Sequence, residues 1–295
     1  MTAHIIDGKA YAATLKDRLT QKVSALKTQH NITPCVSFVL IGDDPASHYY
    51  INSKAKTCAA IGIASKDYKL PASTSREEVL ALVRKLNQSP DVHGILVQLP
   101  LPQHLEEREI INAISPEKDV DGFHPVNAGR LSTGEKGMVA CTPLGSLLLI
   151  KDALGDDLSG KHAVIIGRSN IVGKPMAQLL LNEGCTISVC HSRTHNITHI
   201  TSQADILVVA VGKPEMVSAS WAKEGACVID VGINRIDDEN GGKGRLVGDV
   251  AYEDVSSKAA YITPVPGGVG PMTIACLMRN TVEAACIQHA IAFDV

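Results

Sequence analysis

The stretch "HAVIIGRSNIVGKPMAQLLLNEG" (162–184) reads as an apolar strand, a glycine-containing turn and an amphipathic helix that stops at Gly184. That order opens a dinucleotide-binding fold, in which backbone N–H groups at a helix start receive a pyrophosphate and glycine lets it approach. The turn is G-R-S-N-I-V-G rather than G-x-G-x-x-G, so its place between strand and helix carries the inference more than its letters do. Gly167, Arg168, Ser169, Ile171, Val172 and Gly173 form the candidate phosphate loop. A tight α/β turn with no ligand is the alternative.

Downstream, apolar runs recur as "TISVC" (186–190), "ADILVVAVG" (204–212) and "ACVIDVG" (226–232), the spacing of further parallel strands. An NAD-specific fold carries a carboxylate at the end of its second strand, where it meets the ribose 2′-hydroxyl. Here that strand runs into "HSRT" (191–194), with Ser192 and Arg193 and no acid, and Arg168 lies in the turn itself. A cation and hydroxyl donors favour a 2′-phosphate, so the expected cofactor is NADP; a solvated loop charge is the alternative for Arg193. "VAVGKP" and "DVGIN" end two strands in glycine turns, which places the backbone of Gly212 and Ile233 along the nicotinamide half.

Upstream, helix and strand signals alternate in the same way. A helical pattern from about Lys9 leads to "CVSFVLIG" (35–42), a helix through "SHYYINSKAKTCAAIG" (47–62), "IASKDYKL" (63–70), a capping box at Ser75 and Glu78, and "HGILVQL" (93–99), stopped by Pro100 and Pro102. Pro45 and Ser47 mark the start of the second helix and Gly62 its C-cap. "NAGRLSTGEKGMVACTPLG" (127–145) is weakly periodic and reads as the crossing between domains, "DDENGGKG" (237–244) as a solvated turn. The last helix, after Pro271, is long enough to pack back on the first domain. The expectation is an α/β chain of two domains, 1–143 completed by 272–295, and a Rossmann-like 144–271.

Composition narrows the function classes. Hydrophobic residues make up 45% and charged residues 20% of 295 positions, ordinary for a globular protein, and aromatics only 3%. A formal charge of −3 and the lack of any long basic run argue against nucleic acid as a partner. No apolar stretch has the roughly 18 residues of a membrane span, and the acidic, h-region-free start points away from a signal peptide. The eight cysteines form no C-x-x-C and sit among apolar neighbours, which suits reduced thiols in the cytoplasm and no metal site.

Tyr50 and Lys54 stand one turn apart on a helix, a spacing common enough that a solvated Lys54 is the simplest reading. The motifs "YINSKAKTCAAIGI", "GILVQLPLP", "KDVDGFHPVNAGRL", "GRSNIVGKPMAQLL", "DVGIN" and "ITPVPGGVGPMT" change that. Together, across essentially the whole chain, they resemble the bifunctional methylenetetrahydrofolate dehydrogenase/methenyltetrahydrofolate cyclohydrolase family. The resemblance implies an N-terminal folate/catalytic domain, a C-terminal NADP-binding domain, and a cytoplasmic homodimer paired through the nucleotide domains. It also implies that the synthetase domain fused in some relatives is absent. The implied reaction is NADP-dependent oxidation of 5,10-methylenetetrahydrofolate, then hydrolysis of the methenyl product to 10-formyltetrahydrofolate.

By the same resemblance, Tyr50, Lys54, Gln98 and Asp121 are the catalytic set. Val97 and Leu99 flank Gln98 at the substrate, and Pro266, Gly267, Gly268, Val269, Gly270, Pro271, Met272 and Thr273 line the folate. The chemistry agrees. Water must attack a cationic one-carbon centre, and a neutral amine serves there where an ammonium repels; burial favours the neutral form. Gln98 can hold such an amine without adding negative charge. A carboxylate at Asp121 matches the N–C–N edge of a pterin with two parallel hydrogen bonds, although a turn cap in "DVDGF" is the alternative. Asp119 and His124 read as structural, and His191 as bordering the cofactor. Two other readings stay open: a monofunctional NAD(P)-dependent dehydrogenase, and a catalytically silent dinucleotide-binding regulator.

Overall fold

The computed structural model describes residues 2–237 and 244–295, so most of the stretch read as a solvated turn lies outside the described residues. The chain begins with β1 (His4–Ile5), α1 (Gly8–His30), β2 (Cys35–Ile41), α2 (Pro45–Ile61), β3 (Ala64–Leu70), α3 (Arg76–Gln88) and β4 (Gly94–Val97). Next come α4 (Glu107–Ala113), α5 (Pro125–Thr133), α6 (Cys141–Leu154), β5 (His162–Ile166), α7 (Gly173–Asn182), β6 (Thr186–Cys190), α8 (Ile197–Thr201) and β7 (Ile206–Val209). It ends with β8 (Cys227–Asp230), β9 (Asn234–Ile236), β10 (Arg245–Val247), α9 (Tyr252–Ser256), β11 (Tyr261–Ile262) and α10 (Val269–Gln288). Two compact units result: Ala13–Cys141 with Ile274–Val295, and Thr142–Thr273 with the residues up to Ala12.

In the first unit β2 is the middle of a parallel three-stranded sheet, β3-β2-β4, with Val36 opposite Gly94 and Cys35 opposite Ala64. All seven residues of β2 are buried, as a strand covered on both faces requires. β3 is the edge, and its Lys66, Asp67 and Lys69 are the kind of charges that discourage pairing with another chain. α3 opens with the expected capping box and packs Val79, Val83 and Leu86 beside Val39, Ile95 and Val97. α2 is capped three residues before Ser47: Asp44 accepts from the Ser47 N–H at 2.8 Å, with Pro45 following it as the first helical residue. Gly62 ends that helix in the left-handed region at φ 90°. From Ile274 onward the last helix groups with this unit, where the Asn280 amide of α10 donates to the carbonyls of Val120 (3.0 Å) and Val139 (2.8 Å).

The second unit is a six-stranded parallel sheet in the order β1-β11-β8-β7-β5-β6. Strand order reverses at β5, with β6 on one side and β7 on the other, and ligands of such sheets bind at the carboxyl ends beside this switch point. Val164, Ile166, Leu207, Val209, Val228 and Ile262 are buried in one core cluster there.

The stretch 127–145 contains the boundary between the units, at Cys141/Thr142, but is more regular than its weak periodicity suggests: α5 runs into it until Thr133, with Gly134 as its cap, and α6 begins at Cys141. Pro125 and Pro143 fall in the first turns of these helices, where a missing N–H costs nothing. The residues up to Ala12 also belong with the second unit rather than with 13–143, because β1 pairs with β11, His4 opposite Tyr261.

Candidate functional site

In the first unit, α2 carries Tyr50 and Lys54 as the i, i+4 spacing predicts, and Lys54 is not a solvated charge. The residue is half-buried and its Nζ donates to Gln98 Oε1 at 3.0 Å. Gln98 follows β4: its backbone N–H continues the ladder to the Val39 carbonyl at 2.9 Å, and its Nε2 donates to the Leu99 carbonyl at 2.7 Å. That second bond fixes which way the amide faces, so its oxygen points at the amine. Tyr50 is 45% exposed and meets Tyr49 edge-on, ring centroids 6.0 Å apart. Val97 is buried in the sheet core, whereas Leu99 is half-buried.

The "DVDGF" turn separates its two acids by role. Asp119, fully buried, accepts from the backbone N–H groups of Phe123 (3.2 Å) and His124 (2.8 Å) and from Asn127 Nδ2 (2.9 Å). It is the turn cap. His124 caps α5, its Nδ1 accepting from the Val126 N–H at 3.1 Å. Asp121 is left for another task. Burial pushes its carboxyl up to about 6, Asp119 adds to the rise, and the Lys54 charge and Cys141 thiol oppose it. In its ionised form it can accept two parallel hydrogen bonds. Gly122 lies so close to Val139 and Ala140 that a Cβ there would sit 2.4 Å from backbone atoms, which fixes the turn. Asn280, whose two bonds clamp Val120 and Val139 on either side of this turn, escaped the sequence reading.

In the second unit, the candidate phosphate loop leaves β5 at Gly167, φ 124°, where a Cβ would sit 2.3 Å from the Ala210 carbonyl oxygen. Gly173 opens α7 equally close to Gly167, its added Cβ 2.2 Å from that carbonyl oxygen. Sequence reasoning assigned the helix-start amides to a pyrophosphate. Three of them are already engaged: Ser169 Oγ accepts from Val172 (3.1 Å) and Gly173 (3.3 Å), and its carbonyl from Lys174 (3.0 Å). The stretch Arg168–Ile171 is exposed, and the Ser169 hydroxyl proton is still available to an acceptor.

Ser192 and Arg193 stand at the same sheet end, because Ile166 of β5 pairs with Cys190 of β6. Their turn is held by His191 and Thr194: the His191 N–H donates to Thr194 Oγ1 (2.9 Å) and the Arg193 N–H to His191 Nδ1 (3.1 Å). Both Ser192 and Arg193 point into solvent. Gly212 follows β7 at φ 65°, and Ile233, 52% exposed, follows β8.

The glycine loop after β11 packs tightly on its own chain. A Cβ on Gly268 would come 2.7 Å from Thr263 and Pro264, and one on Gly8 would overlap the Gly268 carbonyl. A Cβ on Gly267, φ 112°, would come 3.9 Å from Pro264, and one on Gly270 3.5 Å from Ile233 Cδ1, both ordinary contact distances. Val269 and Met272 are buried, Pro266 is exposed, and Pro271 and Thr273 are half-buried, with Thr273 Oγ1 2.9 Å from Thr142 Oγ1. Val269 and Met272 are thus core side chains. α10 begins at Val269, two residues before the Pro271 start that the sequence suggests.

Among the described residues no group of three or more His, Cys, Asp or Glu could hold a metal ion, and no helix is long and apolar enough to cross a membrane.

Comparison with known proteins is consistent across both units. The family "Tetrahydrofolate dehydrogenase/cyclohydrolase, catalytic domain" matches residues 6–121, and its "NAD(P)-binding domain" matches 140–289. The bifunctional protein FolD 2 of Sinorhizobium medicae is 57% identical over 290 residues, covering 98% of this chain and 97% of that one. The crystal structure of the bifunctional enzyme FolD, a methylenetetrahydrofolate dehydrogenase/cyclohydrolase from Campylobacter jejuni, superposes with a TM-score of 0.92 at 50% identity, covering 96% of this chain and 98% of that one. The Trypanosoma brucei FolD, solved with NADP and an inhibitor, gives a TM-score of 0.91 at 38% identity, covering 99% and 100%.

Proposed function

The chain belongs to the tetrahydrofolate dehydrogenase/cyclohydrolase family, and from that membership we propose how its residues divide the two reactions. It oxidises 5,10-methylenetetrahydrofolate to the methenyl cation with NADP and hydrolyses that cation to 10-formyltetrahydrofolate. The observation that carries the assignment of the second step is the 3.0 Å bond from Lys54 Nζ to Gln98 Oε1. Gln98 uses its own N–H on Leu99, so it presents only an acceptor to the amine. Lys54 takes a proton from the water as its oxygen bonds to the one-carbon centre; the remaining hydroxyl proton then passes to the pterin-side nitrogen as that C–N bond breaks, leaving the formyl group on the other nitrogen. Asp121 orients the pterin through its N–C–N edge, and Tyr50 offers ring and hydroxyl beside Lys54. Val97 and Leu99 set the position of Gln98.

NADP, when bound, supplies the hydride acceptor. Arg168, Ser169, Ser192 and Arg193 hold its phosphates, and the backbone of Gly212 and Ile233 receives its nicotinamide end. Gly167, Ile171, Val172 and Gly173 shape the loop. The folate is further lined by residues 266–273. Supporting this reading, the two arginines and two serines cluster at the carboxyl ends of β5 and β6 with no carboxylate among them.

The test follows reduction at the nicotinamide absorbance with methylenetetrahydrofolate and either NADP+ or NAD+, alongside formation of 10-formyl product. Both products should form, faster with NADP+. Reduced cofactor without 10-formyl product would leave a dehydrogenase alone, and cofactor binding without turnover would leave a silent binder.

We place the protein in the cytoplasm as a homodimer. All eight cysteines are free and buried, and burial pushes Cys58, Cys227 and Cys276 up to about 12, which suits a reducing compartment. The sheet of the second unit ends at β6, where Val189 is 40% exposed, and Leu181 at the end of α7 is 47% exposed. An open parallel edge with apolar side chains is what a second copy would cover. Sedimentation should return twice the 31.3 kDa chain mass, and a monomer at micromolar concentration would refute the pairing.

A further inference from the structure

Two buried acids outside the assigned site organise the strand ends at which the nicotinamide is placed. Asp249, fully buried, accepts four hydrogen bonds: Oδ2 from the N–H groups of Val211 (2.7 Å) and Gly212 (2.9 Å), Oδ1 from Lys213 N–H (2.8 Å) and Asn234 Nδ2 (2.8 Å). One carboxylate thus ties the turn after β7 to the first residue after "VGI" beyond β8. Asp249 is itself held by Asp230, whose carboxylate accepts from the N–H groups of Asp249 (2.9 Å), Val250 (2.9 Å) and Gly232 (3.0 Å). The glycines beside the two acids have no room for a side chain. A Cβ on Gly232 would come 2.2 Å from Asp249 Oδ1, and one on Gly248 would come 1.7 Å from Asp230 Oδ2.

We propose that Asp249 is the positioning residue for the nicotinamide end of the cofactor, acting through Gly212 and Ile233; this rests on the reading that those two residues meet the nicotinamide. The backbone from Val211 to Lys213 turns through a left-handed Gly212. Three successive amides converge on one carboxylate there, so the turn is set by that acceptor rather than by a helix or strand. Ile233 is pinned between Gly232, which packs on Asp249, and Asn234, which donates to it. Hydride transfer demands a near-attack geometry within a few tenths of an ångström, so a loosened turn weakens oxidation before it weakens folding. Burial pushes Asp230 up to about 7, against the lowering pull of the three amides that donate to it.

The two activities of the enzyme separate positioning from general damage, because hydrolysis of the methenyl compound consumes no cofactor. Asp249→Asn keeps the size of the side chain but replaces one acceptor oxygen by a donor that faces amide donors. It should lower kcat/KM for NADP+ by about tenfold or more, equivalent to about 1.4 kcal/mol. Cofactor-free hydrolysis and KM for methylenetetrahydrofolate should stay within about twofold of wild type. Asn234→Ala, which removes a single donor from a half-buried residue, should lower kcat/KM for NADP+ by about threefold in the same direction. Unchanged NADP+ kinetics in either folded variant, or an equal loss of oxidation and hydrolysis in both, would overturn the proposal. A wild-type enzyme lacking NADP-dependent oxidation altogether would instead defeat the functional reading on which it rests.

Discussion

Lys54→Met should lower the hydrolysis of 5,10-methenyltetrahydrofolate by about 10²–10⁴-fold, the usual contribution of a positioned general base, while NADP+ binding stays intact. Methionine keeps the length of the side chain and its apolar stem against α2, so the change removes the nitrogen and little else. The 3.0 Å bond to Gln98 Oε1 disappears with it. Gln98 is half-buried and still bonded to Leu99, so its free oxygen can turn to water rather than disrupt the β4 end. The measurement is the decay of methenyltetrahydrofolate in the absence of cofactor, with NADP+ affinity taken separately. Wild-type hydrolysis in Lys54→Met would remove Lys54 from the role of base. Gln98→Glu supplies the complementary result. A carboxylate 3 Å from the amine favours the ammonium, so the ascending limb of the pH–rate profile should move to higher pH. An unmoved limb in a folded Gln98→Glu protein would mean that the two side chains do not act together.

Arg168→Ala should weaken NADP+ by about ten- to a hundredfold and leave NAD+ nearly untouched. The adenosine 2′-phosphate carries nearly two negative charges, and one charge-assisted hydrogen bond to it is worth about 1.5–3 kcal/mol. NAD+ lacks that group. Arg168 is exposed on a loop whose backbone is fixed at both ends, by Gly167 against Ala210 and by Ser169 bonding to the start of α7, so the side chain swings from a rigid base. Arg193 rises from a turn equally well fixed by His191 and Thr194. Its guanidinium stands in solvent, where screening reduces what one ion pair contributes, so Arg193→Ala should show the smaller loss. The informative quantity is the ratio of kcat/KM for NADP+ and NAD+ at fixed ionic strength. If neither substitution moves that ratio, the 2′-phosphate is read by other residues.

The fold was legible wherever one residue's neighbours in sequence are also its neighbours in space. Seven consecutive buried residues in Cys35–Ile41, the Ser75–Glu78 capping box and the left-handed Gly62 are local statements, and each reads directly from the chain. The short elements were not. α4, α5, α8 and α9 have five to nine residues, too few turns for an apolar stripe to repeat, and β1 and β11 have two residues each. At the start of α2, Asp44 and Ser47 are both good caps by chemistry; only the extended backbone at Asp44, φ −61° and ψ 120°, selects between them.

The candidate site divides along the same line. Its residue types and their helical spacing, Tyr50 with Lys54 and the glycine turn with Arg168, were determined by the sequence alone, because a helix or a strand–turn–helix fixes them within a few bonds. Which acid caps and which stays available, Asp119 or Asp121, was decided by where Phe123, His124 and Asn127 place their N–H groups. The partnership of Lys54 with Gln98 spans 44 positions, and that of Asp249 with Val211 spans 38. Backbone amides are chemically alike at nearly every position, so the sequence names the acceptor but not the donors that will reach it. Only the register of the parallel strands, which brings the ends of β7 and β8 level at Val209 and Asp230, sets those distances.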